Sequence, residues 1–111
     1  MLTTKDIGNR GEEIASIYLK QQGFSITDRN WRTRWCEVDI VATKAGVVYF
    51  VEVKYRSNTL QGSGFDYITT KKLQQMQFAA EIWIQAHMFE GDAVLAAIEV
   101  DGVGNSTFVE L

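Results

Sequence analysis

Two stretches of the chain carry apolar residues at helical spacing and predict amphipathic helices. The first covers residues 5–22 and is followed by Gly23, the residue type that most often ends a helix. Its apolar stripe consists of Ile14, Ile17 and Tyr18. The second covers about residues 66–87, and its stripe consists of Leu73, Met76, Ala80, Trp83 and His87. Each stripe predicts one buried face and one solvated face.

The remaining segments follow strand patterns. Five strands are predicted, at residues 24–29, 37–43, 47–55, 93–100 and 106–111. The second and third are β-branched and aromatic runs on either side of Lys44-Ala45-Gly46, which indicates a hairpin, and residues 57–64 have the composition of a polar loop. Residues 47–53 are apolar on both strand faces, which is typical of a central strand covered on both sides. The predicted fold is a single α/β domain over residues 1–111, with the order α-β-β-β-α-β-β.

Composition narrows the class of protein. The chain has 111 residues, of which 46% are hydrophobic and 23% charged, as in an ordinary globular domain. No apolar run approaches the roughly 20 residues that span a bilayer, and no signal-peptide pattern opens the chain, so we expect a cytoplasmic protein without a membrane partner. The single cysteine, Cys36, excludes an intramolecular disulfide and a zinc site built from several cysteines.

The net charge of −3 argues at first against a nucleic-acid partner. The charges are unevenly distributed, however. Residues 1–72 contain all 11 Lys and Arg with 8 acids, a balance of +3, whereas residues 73–111 contain 6 acids and no Lys or Arg, a balance of −6. The acidic part alone is explained equally well as a region that keeps the protein soluble. The basic part leaves room for a local contact with nucleic acid.

Four ionisable residues fall on the predicted hairpin. Side chains alternate across a strand, so Glu37 and Asp39 share one face of its first strand, while Glu52 and Lys54 share one face of its second. If Ala45-Gly46 is a two-residue turn, counting outward sets Asp39 opposite Glu52 and Glu37 opposite Lys54. A four-residue loop keeps both sets on the same face, and a three-residue loop separates them.

Carboxylates gathered on one sheet face repel each other and lose hydration, at a cost of several kcal/mol by order of magnitude. A divalent cation removes both penalties, because Mg²⁺ prefers carboxylate, carbonyl and water oxygens. Lys54 beside it could orient or deprotonate a water molecule, or stabilise charge on a phosphoryl group. The alternative is structural: Lys54 forms a salt bridge with Glu37 or Glu52 at a sheet edge.

Charged residues of the two helices have two explanations each. Glu12 and Glu13 suit the dipole near a helix N-terminus, or one of them reaches the metal as a further ligand. Lys71 and Lys72 lie early in the second helix, where positive charge is unfavourable by about 0.3–1 kcal/mol but suits a phosphate contact.

An aromatic and basic segment at residues 29–35 alternates arginines with tryptophans. Such a segment can bind phosphates while its rings stack on exposed bases, or it is a connection with a solvated basic face and Trp31 in the core. His87 extends an apolar stripe and is interpreted as a residue at the edge of the core. Cys36 is interpreted as structural rather than nucleophilic.

Taken together, these segments resemble the YraN family of small endonuclease-like proteins, which is related to the archaeal Holliday junction resolvases within the PD-(D/E)xK nuclease superfamily. The resemblance covers most of the chain. Its motifs are Gly8-Asn9-Arg10-Gly11-Glu12, Asn30-Trp31-Arg32, Glu37-Val38-Asp39-Ile40-Val41-Ala42, Phe50-Val51-Glu52-Val53-Lys54-Tyr55-Arg56 and Lys71-Lys72. One departure is Cys36, which stands where the family usually has glycine.

The resemblance implies a restriction-endonuclease-like fold, in which helices flank a central mixed β-sheet. It also implies that Asp39 and Glu52 bind Mg²⁺ or Mn²⁺ with help from the Val53 carbonyl, that Lys54 is the catalytic lysine, and that Glu12 is an acidic residue of the site. The reaction implied is attack of water on a phosphodiester bond.

The expected substrate is nucleic acid, DNA rather than RNA, with branched DNA as one candidate. The residues expected to contact it are Arg32, Arg34, Arg56, Lys71 and Lys72. Because resolvases act as dimers on two-fold symmetric substrates, the resemblance adds a homodimer as a candidate state. The alternatives are a module that binds nucleic acid without cutting it, and a structural protein whose acidic second helix or last strands bind a partner.

Overall fold

The computed structural model describes residues 3–56 and 64–111, which form a five-stranded sheet with one helix on each face. The elements are α1 (Thr4–Gln21), β1 (Ser25–Arg32), β2 (Glu37–Lys44), β3 (Val47–Arg56), α2 (Thr70–His87), β4 (Ala93–Asp101) and β5 (Ser106–Glu110). This is the predicted order α-β-β-β-α-β-β in a mixed α/β domain. The polar loop predicted at 57–64 lies, except for Gly64, outside the described residues.

The strands lie in chain order, β1-β2-β3-β4-β5, and only β3 and β4 are parallel. Two parallel strands cannot be joined by a tight turn, so the chain crosses the sheet between them, and α2 lies in this crossover. The strand β3 is therefore central and has a helix over each face, as its apolar residues on both faces predict.

The helix α1 packs closely on the sheet through small residues. Ala15 and Leu19 are fully buried, and a Cβ added to Gly11 would lie 3.3 Å from the Cβ of Tyr55 on β3. The prediction that Ile17 belongs to the buried stripe is wrong, since its side chain is 46% exposed. The stripe in contact with the sheet is centred on Gly11, Ala15 and Leu19, whose i, i+4 spacing lets the backbone approach the strands.

The helix α2 begins at Thr70, four residues later than predicted. The side chain of Thr69 accepts a hydrogen bond from the Lys72 N–H at 3.1 Å and so caps the helix. On the buried face, the Trp83 ring meets the Phe50 ring edge to face at 5.5 Å. His87 is exposed and stacks on Trp83 at 4.0 Å, which confirms its place at the edge of the core.

The strand β1 is longer than predicted and includes Asn30-Trp31-Arg32. A register shift follows Ile26, and Asn30 adopts a left-handed backbone with φ 53°. Trp31 packs against the core on the α2 face, so the structural interpretation of this ring is confirmed. Neither α1 nor α2 is long and apolar enough to cross a membrane.

Candidate functional site

The hairpin of β2 and β3 has a two-residue turn, one of the alternatives that puts the acidic faces together. Ala45 and Gly46 have φ values of 52° and 80°, the left-handed pair that a type I′ turn requires. The ladder pairs run from Lys44 and Val47 to Ile40 and Val51. This half of the hairpin follows the predicted register throughout.

The strands separate immediately after this paired half. Asp39 accepts a hydrogen bond from the backbone N–H of Val53, through Oδ2 at 2.8 Å. Glu37 continues the ladder with β1, where Arg32 is its partner. The pairs expected by counting outward, Asp39 with Glu52 and Glu37 with Lys54, are therefore wrong. At this point the backbone N–H of β3 is hydrogen-bonded to a side chain of β2 and not to its backbone.

The opening leaves backbone groups of β3 accessible from the β2 side. In a strand, the N–H and C=O of one residue point to the same side. The Val53 N–H points toward β2, where it meets the Asp39 carboxylate. The Val53 carbonyl therefore faces the same side, beyond the last β2–β3 pair.

Asp39 lies in an environment that disfavours its charge. Burial raises the pKa of this carboxyl to about 7, and the negative charge of Glu52 adds to the increase. The Val53 N–H opposes the shift, while Glu12 on α1 and Glu37 on β2 contribute further negative charge. The Oε2 atom of Glu12 is buried, and no hydrogen-bond partner lies within the described ranges. Asp39 is thus the centre of an acidic group to which α1, β2 and β3 contribute.

Glu52 is paired with a residue of α2. Its Oε2 lies 2.8 Å from Nζ of Lys72, and both side chains are partly buried. Burial alone would lower the pKa of the Lys72 ammonium, but the hydrogen bond to Glu52 and its charge outweigh burial and raise that pKa above its ordinary value. The first turn of α2 therefore brings a positive charge to the carboxylates of the hairpin.

Lys54 is exposed, and its Nζ lies 5.5 Å from the centre of the Tyr67 ring. The Arg56 guanidinium lies 5.4 Å from the same ring and forms an ion pair with Glu99 at 2.9 Å. The salt bridges predicted as a structural role for Lys54 are occupied by other cations, because Glu52 pairs with Lys72, and Glu37 with Arg32 at 3.5 Å.

Tyr67 is a residue of the site that the sequence reasoning missed. Its hydroxyl is buried without a hydrogen-bond partner in the part of the chain described. Burial raises the pKa of this phenol, and the charges of Glu52 and Glu99 raise it further. A single tyrosine after a polar loop carries no periodic signal, so only the folded chain reveals that its ring lies beside Lys54.

A cavity of about 530 Å³ opens between the separated strands and α2. Its charged lining consists of Glu37, Asp39, Glu52, Lys71 and Lys72. Cys36 also lines it, with Sγ 3.4 Å from the Thr33 hydroxyl, and its structural role stays a prediction. Two exposed aromatic residues, Trp35 and Phe78, complete the opening. Glu12 and Lys54 are not in this lining.

The donor set suits a hard divalent cation that keeps much of its water. Across residues 3–56 and 64–111, no three Asp, Glu, His or Cys side chains form a group that could hold a metal. Asp39, Glu52 and the Val53 carbonyl offer two carboxylates and one backbone oxygen. Mg²⁺ is commonly bound through one or two carboxylates while waters fill its other positions. The residues present therefore fit Mg²⁺ or Mn²⁺ and do not fit a zinc site built from side chains alone.

The residues expected to contact nucleic acid surround this cavity unevenly. Arg32 is exposed and lies at its rim beside Glu37, and the Arg34 guanidinium lies 5.3 Å above the Trp35 ring. Lys71 is exposed on the first turn of α2. Lys72 lines the cavity in an ion pair with Glu52, whereas Arg56 is not among the lining residues and pairs with Glu99.

Comparison with known proteins relates the chain to one family. The model of "Uncharacterised protein family UPF0102" matches residues 11–103. A UPF0102 protein of Clavibacter michiganensis subsp. michiganensis is 40% identical over 87 residues, which is 78% of this chain and 74% of the relative. A UPF0102 protein of Mycolicibacterium smegmatis is 38% identical over 105 residues, which is 93% of this chain and 82% of the relative. A UPF0102 protein of Vibrio parahaemolyticus is 33% identical over 84 residues, which is 76% of this chain and 69% of the relative.

Proposed function

The chain belongs to the uncharacterised protein family UPF0102, and we propose that it is a metal-dependent nuclease that hydrolyses phosphodiester bonds in nucleic acid, with DNA as the substrate. The observation that carries the proposal is the open end of the β2–β3 hairpin. There, Asp39 and Glu52 line one cavity, and Asp39 is bonded to the backbone of Val53.

The electrostatics of this end support a cation site. A half-buried carboxylate beside a second carboxylate is costly to ionise, and here the pKa of Asp39 is raised to about 7 by burial and by Glu52. A divalent cation offsets that cost, because its charge favours the ionised form of both groups. The Val53 carbonyl supplies a neutral oxygen on the same side. An acidic arrangement that is unfavourable in the free protein is thus suited to a bound metal.

Each residue of the site has a role in this proposal. Asp39, Glu52 and the Val53 carbonyl hold Mg²⁺ or Mn²⁺, which when bound supplies Lewis-acid stabilisation and lowers the pKa of water. Lys54, exposed beside the Tyr67 ring, orients the attacking water or stabilises charge that develops on the phosphoryl group. Glu12 adds negative charge from α1, close enough to raise the pKa of Asp39.

In this proposal, the exposed cations around the cavity make the first contacts with nucleic acid. Arg32, Arg34 and Lys71 are exposed around the cavity, whereas Lys72 and Arg56 have glutamate partners that a phosphate must replace. Phosphate contacts of this kind supply affinity that weakens as salt concentration rises. A homodimer, which the resemblance to resolvases suggests, stays a prediction.

The test is cleavage of branched, single-stranded and duplex DNA with Mg²⁺ or Mn²⁺. We expect cleavage by the natural chain, and its loss in Asp39→Asn and Lys54→Ala. Asparagine at 39 retains an oxygen that can accept the Val53 N–H, so the loss reports charge rather than misfolding. The matched controls are Asp92→Ala and Lys44→Ala, which change the same residue types outside the site. Cleavage that survives both site substitutions would contradict the proposal.

Calorimetric titration with Mn²⁺ gives a second test. We expect binding that Asp39→Asn abolishes and Asp92→Ala preserves, with protons released near neutral pH because Asp39 must ionise. Binding that is unaffected by Asp39→Asn would place the metal elsewhere.

A second candidate is a module that binds nucleic acid without cutting it. One observation favours it: Lys72 already neutralises Glu52 through a 2.8 Å contact. Such a module would bind DNA in a salt-sensitive manner and would be indifferent to metal and to Asp39→Asn. Absence of metal binding together with salt-sensitive DNA binding would therefore select this candidate.

A further inference from the structure

We propose that the cavity binds unpaired nucleotides through Trp35 and Phe78, so that the substrate is a single-stranded or unpaired segment rather than a continuous duplex. The inference rests on the proposed function for its choice of nucleic acid, and it names the substrate class of the same site. The two rings come from different elements, Trp35 from the β1–β2 connection and Phe78 from α2.

The exposure of these rings is the first observation. Trp35 is 71% exposed and Phe78 is 45% exposed, while the two core clusters are built from other residues. Neither ring is accounted for by packing of the fold. Two large aromatic side chains that reach one cavity from separate elements form a local apolar surface of the kind that marks a binding site.

Cations lie close to both rings, in a cavity whose lining also contains the carboxylates of Glu37, Asp39 and Glu52. The Arg34 guanidinium lies above the Trp35 ring at 5.3 Å, and Lys71 and Lys72 share the cavity lining with Phe78. Proteins that bind single strands combine the same two components, aromatic faces on which bases stack and cations that follow the phosphates. A purely apolar partner would offer no counter-charge to the exposed Arg34 and Lys71, so the combination favours a ligand that is both planar and anionic.

The shape of the site also favours unpaired bases. A cavity of about 530 Å³ has the size of a small-molecule site and admits a nucleotide. In a continuous duplex, neighbouring base pairs cover both faces of each base, so an aromatic ring can stack only after the base has left the helix. A strand whose bases are already unpaired avoids this cost. The rings therefore contribute to binding of a single strand and contribute little to binding of a duplex.

The position of the rings connects binding with chemistry. Trp35 and Phe78 line the same cavity as Asp39 and Glu52. A nucleotide that enters the cavity base first brings its phosphate toward the carboxylates that would hold the proposed metal. Trp35 and Phe78 act in this arrangement as binding residues that select the substrate.

The experiment measures binding separately from cleavage. Asp39→Asn protein in EDTA is titrated with a fluorescently labelled oligonucleotide, either single-stranded or annealed to its complement, and anisotropy is recorded. We expect about tenfold or greater preference for the single strand at equal salt, and quenching of tryptophan fluorescence on binding. Trp35→Ala and Phe78→Ala should each weaken single-strand binding by roughly 5- to 100-fold, with little effect on duplex binding.

Variants that keep or remove a ring complete the test. Trp35→Phe and Phe78→Trp preserve an aromatic face and should retain most of the affinity. Met88→Ala removes an apolar side chain that is 83% exposed but lies outside the cavity lining, and it should have no effect. If the rings had only a structural role, the alanine substitutions would lower the unfolding midpoint and would weaken binding of single strand and duplex equally.

The outcomes separate this inference from the proposed function. Equal affinity for single strand and duplex, or equal weakening of both by the alanine variants, overturns the stacking inference even if the natural chain cleaves DNA. Ring-dependent preference for single strands without any cleavage supports the stacking inference and contradicts the nuclease. Absence of binding to either form at low salt overturns both.

Discussion

The two ends of the β2–β3 hairpin are built from the same pair of strands and serve different purposes. At the turn end, backbone pairs continue from Lys44–Val47 to Ile40–Val51, and the side chains of Val48 and Phe50 are buried. At the open end, the Asp39 carboxylate takes the place of a backbone partner for β3. Where the ladder ends early, the carboxylates and the Val53 carbonyl can face a ligand. The paired end holds the two strands in position.

The largest effect is expected from removing a core side chain at the turn end. Phe50 is 1% exposed and its ring meets Trp83, so Phe50→Ala should lower the free energy of unfolding by about 3–5 kcal/mol. Urea denaturation measures this change. The same substitution at exposed Phe78 serves as the control and should cost less than about 1 kcal/mol. Similar losses for the two variants would contradict a core placed at this end.

A pH-dependent effect is expected at the open end. Burial raises the pKa of Asp39 from its ordinary 3.8 to about 7, so the folded metal-free chain keeps a proton that the unfolded chain releases. Its free energy of unfolding should therefore fall as pH rises from about 4 to about 7, by a contribution of the order of a few kcal/mol, and level off above that.

Asp39→Asn has no titrating group at this position and should lack that contribution. The readout is the difference between the two chains in urea midpoints, with EDTA present, across that pH range. The asparagine variant should be the more stable above neutrality and comparable in acid. A constant difference across the range would show that Asp39 titrates normally and would weaken the argument for a cation site.

A smaller effect is expected from the lysine that approaches the open end. Lys72→Ala removes the ion pair with Glu52, whose partners are 34% and 21% exposed, and should lower the free energy of unfolding by about 1–2 kcal/mol. Because the ammonium also competes with a cation for Glu52, Mn²⁺ should bind this variant several-fold more tightly.

The control for this pair is Lys71→Ala. Lys71 is the neighbouring lysine, is exposed and lines the same cavity, so its loss should change stability by less than about 0.5 kcal/mol. If both variants bind Mn²⁺ equally well, the ion pair of Lys72 does not regulate access to Glu52.

The smallest effect is expected from the turn itself. Gly46 has φ 80°, so Gly46→Ala should lower the free energy of unfolding by about 1 kcal/mol through backbone strain. Gly8 lies within α1, and a Cβ added there would meet no atom within 4 Å. Gly8→Ala should therefore raise stability by about 0.5–1 kcal/mol. Thermal unfolding of both variants checks the two opposite signs, and a stabilised Gly46→Ala chain would contradict the I′ turn.

Most of the fold could be predicted because local signals agreed with each other. The hairpin itself and its strand alternation followed from neighbouring residues, and of the turn lengths that the sequence left open the structure has the two-residue Ala45-Gly46 turn. The central place of β3 followed from its apolar residues on both faces. Ile17 was wrongly assigned to the buried face of α1. Hydropathy alone does not show that a helix can approach a sheet closely when glycine and alanine make the contact.

The candidate site could be predicted only in part. Alternation brings Asp39 and Glu52 to one face only with a two- or four-residue loop, and the two-residue turn meets that condition. Alternation could not show that the strands separate at this point, because counting outward from the turn assumes a regular ladder. The ion pair of Lys72 with Glu52 and the place of Tyr67 beside Lys54 depend on how the chain returns after β3. Such contacts are set by tertiary packing and leave no periodic signal.

Gly11 allows α1 to approach the sheet closely, and this determines how near Glu12 lies to Asp39. Because no side chain separates α1 from Tyr55 at this residue, the helix lies close enough for Glu12 to influence Asp39. An alanine at 11 would have to displace the helix or the strand by a few tenths of an ångström, since the Tyr55 Cβ is too near the backbone to swing aside. The absence of a Cβ atom at Gly11 thus helps to set how far the charge of Glu12 raises the pKa of Asp39.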